Sequence, residues 1–201
     1  TLDAQRILGV DAAIMFADLL PILEPMGMEL NYVPGEGPVF SDPIRSAKDV
    51  AALRNGPALE QTPYIADTVK FINADLPNDI ALIGFAGAPF TLASYAIEGK
   101  GSRNYVHVKK MMYEAPELWH QLITKLVDQL ASYLALQISA GVEAVQLFDT
   151  WVGNLSVQDY RVFVEPYLKS LLEKLGKEVP VIYFGTGNYH LLPAVAELDI
   201  D

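Results

Sequence analysis

Four short apolar runs in the sequence end in residues that can do chemistry. AAIMF (12–16) is followed by Ala17 and Asp18, and ALIGF (81–85) by Ala86, Gly87, Ala88 and Pro89. AVQLF (144–148) leads to Asp149, Thr150 and Trp151, and VIYF (181–184) to Gly185, Thr186 and Gly187. The set holds two aspartates, two threonines, small residues and nearby aromatics, with no basic cluster and no histidine pair. Carboxylates accept hydrogen bonds, and hydroxyls both donate and accept them. The stretch GFAGAPFTLASYAIEG (84–99) adds one phenol, Tyr95.

Each residue also has a plainer reading. Asp18 can cap a helix through LLPILEPMG. Tyr95 can be a core tyrosine with a satisfied hydroxyl. Thr150 can close a turn, and Asp149 can be a structural hydrogen-bond partner as readily as a ligand. The small residues at 86–88 either admit something close to the backbone or let the following helix pack tightly on its strand. His107, His120 and His190 lie far apart and form neither H-x-H nor H-x-x-E-H, so no metal site is expected on them. The sequence has no cysteine, which excludes disulfides, thiolate ligands and cysteine nucleophiles within it.

These residues need elements to position them. A helix is expected through LLPILEPMG, then an extended excursion over MELNYV (28–33) and VPGEGPVF, where Pro and Gly suit turns. Helices are expected over PYIADTVKFINADL, from Pro89 to Gly99, across 104–140, from Ser156 to Lys177 and from near His190. The four apolar runs show almost no polar alternation, so they read as strands covered on both faces in a parallel α/β sheet. Neither G-x-G-x-x-G nor a Walker A motif is present, which favours a (β/α)8 TIM barrel over a nucleotide-binding open sheet. A barrel takes eight strands and about 250 residues. Only about four βα units fit in these 201 residues; the sequence begins at Thr1, and AELDID breaks off where a further strand would start. Residues 1–201 are therefore expected to be a single domain forming an internal part of a barrel, with N- and C-terminal parts missing.

Composition narrows the classes. The sequence is 51% hydrophobic, but no apolar run approaches the ~20 residues of a membrane span. No secretory signal pattern is present. The net charge is −11 and the one adjacent basic pair, Lys109-Lys110, reads as a solvated helix face, so nucleic acid is not an expected partner. A soluble, cytoplasmic protein is expected.

DAAIMFADLL, GMELNYVPGEGP, GFAGAPFTLASYAIEGKGS, GVEAVQLFDTWVGNLS and VPVIYFGTG occur in that order and closely resemble the uroporphyrinogen decarboxylase family across essentially the whole chain. The resemblance implies a single barrel, usually a homodimer, acting without cofactor or metal. It implies conversion of the four acetate side chains of uroporphyrinogen III to methyls, giving coproporphyrinogen III and CO2. The family's F-[SA]-D aspartate falls on Asp18, within Phe16-Ala17-Asp18. Its pocket tyrosine falls on Tyr95, its Ser/Thr after L-F-[DE] on Thr150 and its pocket-wall phenylalanine on Phe85. On this reading the small corner at 86–88 leaves room for the macrocycle. The family's upstream R-Q-A-G-R-Y loop and its C-terminal strand-end histidine have no counterpart here, so only part of a site is expected. Two alternatives stand beside it. A corrinoid-linked methyltransferase of the same superfamily would need zinc on H-x-C, where this sequence has Tyr183-Phe184-Gly185-Thr186. A non-catalytic tetrapyrrole-binding barrel is the other.

Overall fold

The four apolar runs become one parallel sheet. A computed structural model describes residues 1–15 and 17–201; Phe16, within the expected first strand and the F-[SA]-D segment, lies outside the described residues. Strands β1 (Ala12–Ile14), β4 (Ala81–Gly87), β5 (Ala144–Asp149) and β6 (Val181–Gly185) pair in the order β1-β4-β5-β6. Register sets Ile14 opposite Ile83, Phe85 opposite Gln146, and Asp149 opposite Gly185. Strands β2 (Leu30–Val33) and β3 (Gly37–Phe40) form a separate antiparallel hairpin. Its turn uses Gly35 and Gly37 at φ 82 and 83, a region glycine enters without steric cost. This is the expected extended excursion.

The sheet's two faces differ, contrary to strands covered equally on both. On β5, Val145, Leu147 and Asp149 are buried, while Ala144, Gln146 and Phe148 are half-buried. On β1, Ala13 is buried between half-buried Ala12 and Ile14. Side chains alternate across a strand, so one face carries the helices and the other stays partly open. The longest helix, α7 (Pro116–Ala140), packs on β4 and β5 between α4 (Pro63–Asp75) and α9 (Glu165–Leu175). Helix α5 (Pro89–Glu98) joins this layer through Phe90, whose ring lies 6.2 Å from that of Trp119; both are fully buried. Burying a side chain of this size stabilises the fold by roughly 1.5–3 kcal/mol.

Prolines divide the helices more finely than the apolar spacing predicts. LLPILEPMG forms only a single 3-10 turn, Pro21–Leu23, because Pro25 has no N–H to donate. The 104–140 region splits into α6 (Val106–Glu114) and α7 at Ala115, immediately before Pro116. The residue before a proline is disfavoured in the helical region. Residues 156–177 split likewise into α8 (Val157–Phe163) and α9, with Pro166 in the first turn of α9. Three short helices were not anticipated: α1 (Leu2–Leu8), α2 (Ala47–Ala52) and α3 (Ala58–Gln61). A capping box of Ser46 and Asp49 starts α2, and its S-x-x-D signature stands in the sequence. Among the described residues no helix is long and apolar enough to cross a membrane.

Candidate active site

Asp18 lies just past the end of β1 and is exposed. Its Oδ1 accepts the Leu20 N–H at 2.9 Å. The capping reading therefore holds, but for a tight turn into a 3-10 element and not for a helix. One such bond leaves most of the acceptor capacity of a carboxylate free. Tyr32 on β2 faces the same carboxylate. Loss of hydration and a hydrogen bond to Asp18 push its phenol up to about 12.

Tyr95, half-buried on α5, also senses Asp18. Its phenol is raised first by burial and then by the Asp18 charge, so it is a proton donor at neutral pH. Its ring packs on Trp151 with centroids 4.0 Å apart and planes at 34°. Trp151 in turn meets Tyr105 at 5.3 Å. Tyr105 is buried, with φ 51, a left-handed conformation that a non-glycine residue rarely adopts. Thr150 precedes Trp151 and is half-buried. Its carbonyl, not its hydroxyl, holds the turn, accepting a bond from the Thr186 hydroxyl.

Phe85 and Phe148 meet edge to face at 6.0 Å on the open face of the sheet. With Ile14, Met15, Ala17 and Leu19 they line an apolar cavity of about 340 Å³. Asp18 sits between two of these residues in the chain, so charge and apolar wall adjoin. The corner at 86–88 does not leave the room expected of it. Ala86 and Ala88 are buried, and a Cβ on Gly87 would stand 2.8 Å from Leu92. The tight-packing reading of the small residues is the correct one: they seat α5 on β4.

Asp149 is the opposite of Asp18. It is fully buried on the helix side, where its Oδ1 accepts from the Thr91 hydroxyl at 2.8 Å and its Oδ2 from the Tyr183 hydroxyl at 2.7 Å. Burial pushes its pKa up to about 6, and the two hydrogen bonds oppose that rise. Thr91 Oγ1 also accepts the Trp151 N–H at 3.4 Å. Asp149 is thus a structural partner that ties β5, β6 and α5 beneath the site. Among the described residues, no group of three or more His, Asp and Glu side chains is placed to hold a metal ion.

The chain as a whole has counterparts among known proteins. The family model for uroporphyrinogen decarboxylase matches residues 1–201, the whole chain. The chain belongs to the uroporphyrinogen decarboxylase family. It is 49% identical over 199 residues to the uroporphyrinogen decarboxylase of Koribacter versatilis, a match covering 98% of this chain and 56% of that protein. The enzyme of Carboxydothermus hydrogenoformans is 47% identical over 197 residues, covering 98% and 56%. The chain therefore spans a little over half the length of these relatives. Among solved structures, a methyltransferase from Methanosarcina mazei superimposes with a TM-score of 0.81 at 19% identity, covering 98% of this chain and 58% of that one. At that identity the likeness speaks for the fold alone. The decarboxylase family's (β/α)8 barrel accounts for the parallel sheet and its helix layer, of which this chain forms part.

Trp151 and Phe148 were visible at a strand end, but their partners Tyr95 and Phe85 lie more than fifty residues away, and no local pattern links them. Gln137, whose side chain bonds both backbone polar groups of Phe85, carried no motif at all.

Proposed function

We propose that this protein takes part in removing the four acetate carboxyls of uroporphyrinogen III as CO2, giving coproporphyrinogen III. The reading rests on one observation: an exposed aspartate, Asp18, stands at a strand end beside an apolar cavity and a protonated tyrosine. A porphyrinogen can turn its pyrrole N–H groups to one side. Asp18, held by the Leu20 N–H through one oxygen, has acceptor positions left for them. Hydrogen bonds to a charged group contribute ~1.5–3 kcal/mol each. Protonating a pyrrole ring makes it cationic and lets the ionised acetate lose CO2, leaving a neutral exocyclic methylene. A proton then adds to that carbon and the added ring proton leaves, giving the methyl group with one proton consumed for each CO2 released. A fixed carboxylate stabilises that cation more than the neutral ring, the differential binding on which catalysis depends.

The other candidates take supporting roles. Tyr95 offers its hydroxyl proton to substrate oxygen, Thr150 offers a second hydroxyl, and Phe85 packs against the macrocycle. We read residues 1–201 as one domain of a cytoplasmic homodimer that uses no metal or cofactor.

The test is incubation of the purified protein with uroporphyrinogen III, anaerobic and dark, with products separated by carboxylate number. Products with seven to four carboxylates support the reading. Tight binding without any loss of carboxylate would replace it with the non-catalytic tetrapyrrole-binding barrel.

A further inference from the structure

Strand β4 is paired differently along its two sides. Towards β5 the ladder runs from Ile83 opposite Ala144 to Gly87 opposite Phe148, and the Ala88 N–H extends it to the Phe148 carbonyl at 2.8 Å. Towards β1, among the described residues, it covers only Ala12–Ile14 opposite Ala81–Ile83. Its last bond runs from the Met15 N–H to the Ile83 carbonyl at 3.0 Å. The next β4 residue facing that side is Phe85. A continuing parallel ladder would pair the Phe85 N–H with the Met15 carbonyl and the Phe85 carbonyl with the Ala17 N–H.

One side chain occupies both positions. Gln137 Oε1 accepts the Phe85 N–H at 2.8 Å, and Gln137 Nε2 donates to the Phe85 carbonyl at 2.9 Å; both bonds are buried. Gln137 itself is 0% exposed and comes from α7 in the helix layer. It reaches the strand because residue 84 is glycine: a Cβ there would stand 2.6 Å from Gln137 Oε1. A carboxamide carries one acceptor and one donor side by side, so it can replace one rung of a ladder without adding a strand.

We propose that Gln137 is a positioning residue for the site. By standing in for the next rung, it ends the β1–β4 pairing and releases the Ala17 N–H from the sheet. The chain is then free to turn, with the Asp18 carboxylate exposed and bonded to the Leu20 N–H. The same two bonds fix Phe85, which shares its cavity with Ala17 and Leu19. The consequence for catalysis rests on the decarboxylase reading; the consequence for pairing does not.

The experiment compares the purified protein with Gln137→Leu and Gln137→Glu by residue-resolved amide hydrogen exchange and by steady-state decarboxylation. In Gln137→Leu, β1 is expected to pair onward, slowing exchange at Ala17 by tenfold or more. The displaced Asp18 is expected to lower kcat by roughly ten- to a hundredfold, the scale of an ångström-level misplacement, with KM changed less than about threefold. Gln137→Glu keeps the acceptor for the Phe85 N–H but loses the donor that occupies the Phe85 carbonyl. The Phe85 N–H therefore stays protected while the freed carbonyl takes the Ala17 N–H, and Ala17 exchange and kcat shift in the same direction as in the leucine variant. It carries the same readouts if the leucine variant does not fold. Unchanged Ala17 exchange, or a wild-type kcat per folded molecule, overturns the proposal. If the unsubstituted protein does not turn over, the decarboxylase reading fails, and Ala17 exchange still decides the pairing claim.

Discussion

Two aspartates each follow an apolar strand run, and the fold gives them opposite lives. Asp149 stays in register at the end of β5, points to the helix side and is fully buried between two hydroxyl donors. Asp18 lies past the point where β1 leaves the sheet and is exposed, with the Leu20 N–H on its Oδ1 and the Tyr32 phenol beside it. The same residue type after the same kind of strand is thus a structural tie in one place and an available charge in the other. What separates them is where the backbone ladder stops.

The largest expected effect separates them by function. Asp18→Asn should reduce decarboxylation by roughly a hundredfold or more, about 2.7 kcal/mol on the scale of lost electrostatic stabilisation. Its unfolding free energy should hold to within ~0.5 kcal/mol, because the site is exposed and Asn keeps an acceptor for Leu20. Parallel assay and urea denaturation check this; equal losses in both would erase the distinction.

Asp149→Leu is expected to behave in reverse. It strands the Thr91 and Tyr183 hydroxyls in a buried setting, where an unsatisfied donor costs ~1–3 kcal/mol. Denaturation should show a loss of about that size, with residual activity tracking the folded fraction.

A pH series sharpens the same contrast. Asp149 holds its proton more tightly folded, near pH 6, than unfolded, near 3.8. Between those values the folded state carries the extra proton. This group therefore makes stability fall as pH rises from about 4 to about 6, and contributes no further change above that. Asp149→Asn should remove that component, so the parent-minus-variant stability difference falls between about pH 4 and pH 6 and is level above that.

The smallest effect concerns the aromatic link between the two regions. Trp151→Leu removes the ring packed on Tyr95, a contact of about 1 kcal/mol. A several-fold rise in KM with kcat little changed is the expected signature in steady-state kinetics.

Much of this was legible beforehand. AAIMF, ALIGF, AVQLF and VIYF announced the parallel strands, and Pro89 and Gly99 bracketed α5 as read. In the fold the Asp18 charge reaches Tyr95, and Thr150 adjoins the tryptophan that stacks on Tyr95. Pro116 and Pro166 were also visible, yet the apolar spacing runs through them and concealed the breaks they impose. The residues at 86–88 left open space and tight packing as equal readings, and the family resemblance favoured open space, because glycine and alanine look alike whether a ligand or Leu92 fills the gap.

Strand type, helix stops and turn chemistry belong to the sequence, because they follow from side-chain period and from the backbone limits of proline and glycine. Family membership belongs there too, carried by ordered segments along the chain. The tertiary structure alone decided which aspartate is buried and which is free. It also decided which face of the sheet stays open, and that a glutamine fifty-two positions away closes the Phe85 rung. These are long-range events: a hydrogen-bonding group is indifferent to sequence distance, and only the folded packing of α7 against β4 determines which partner it meets.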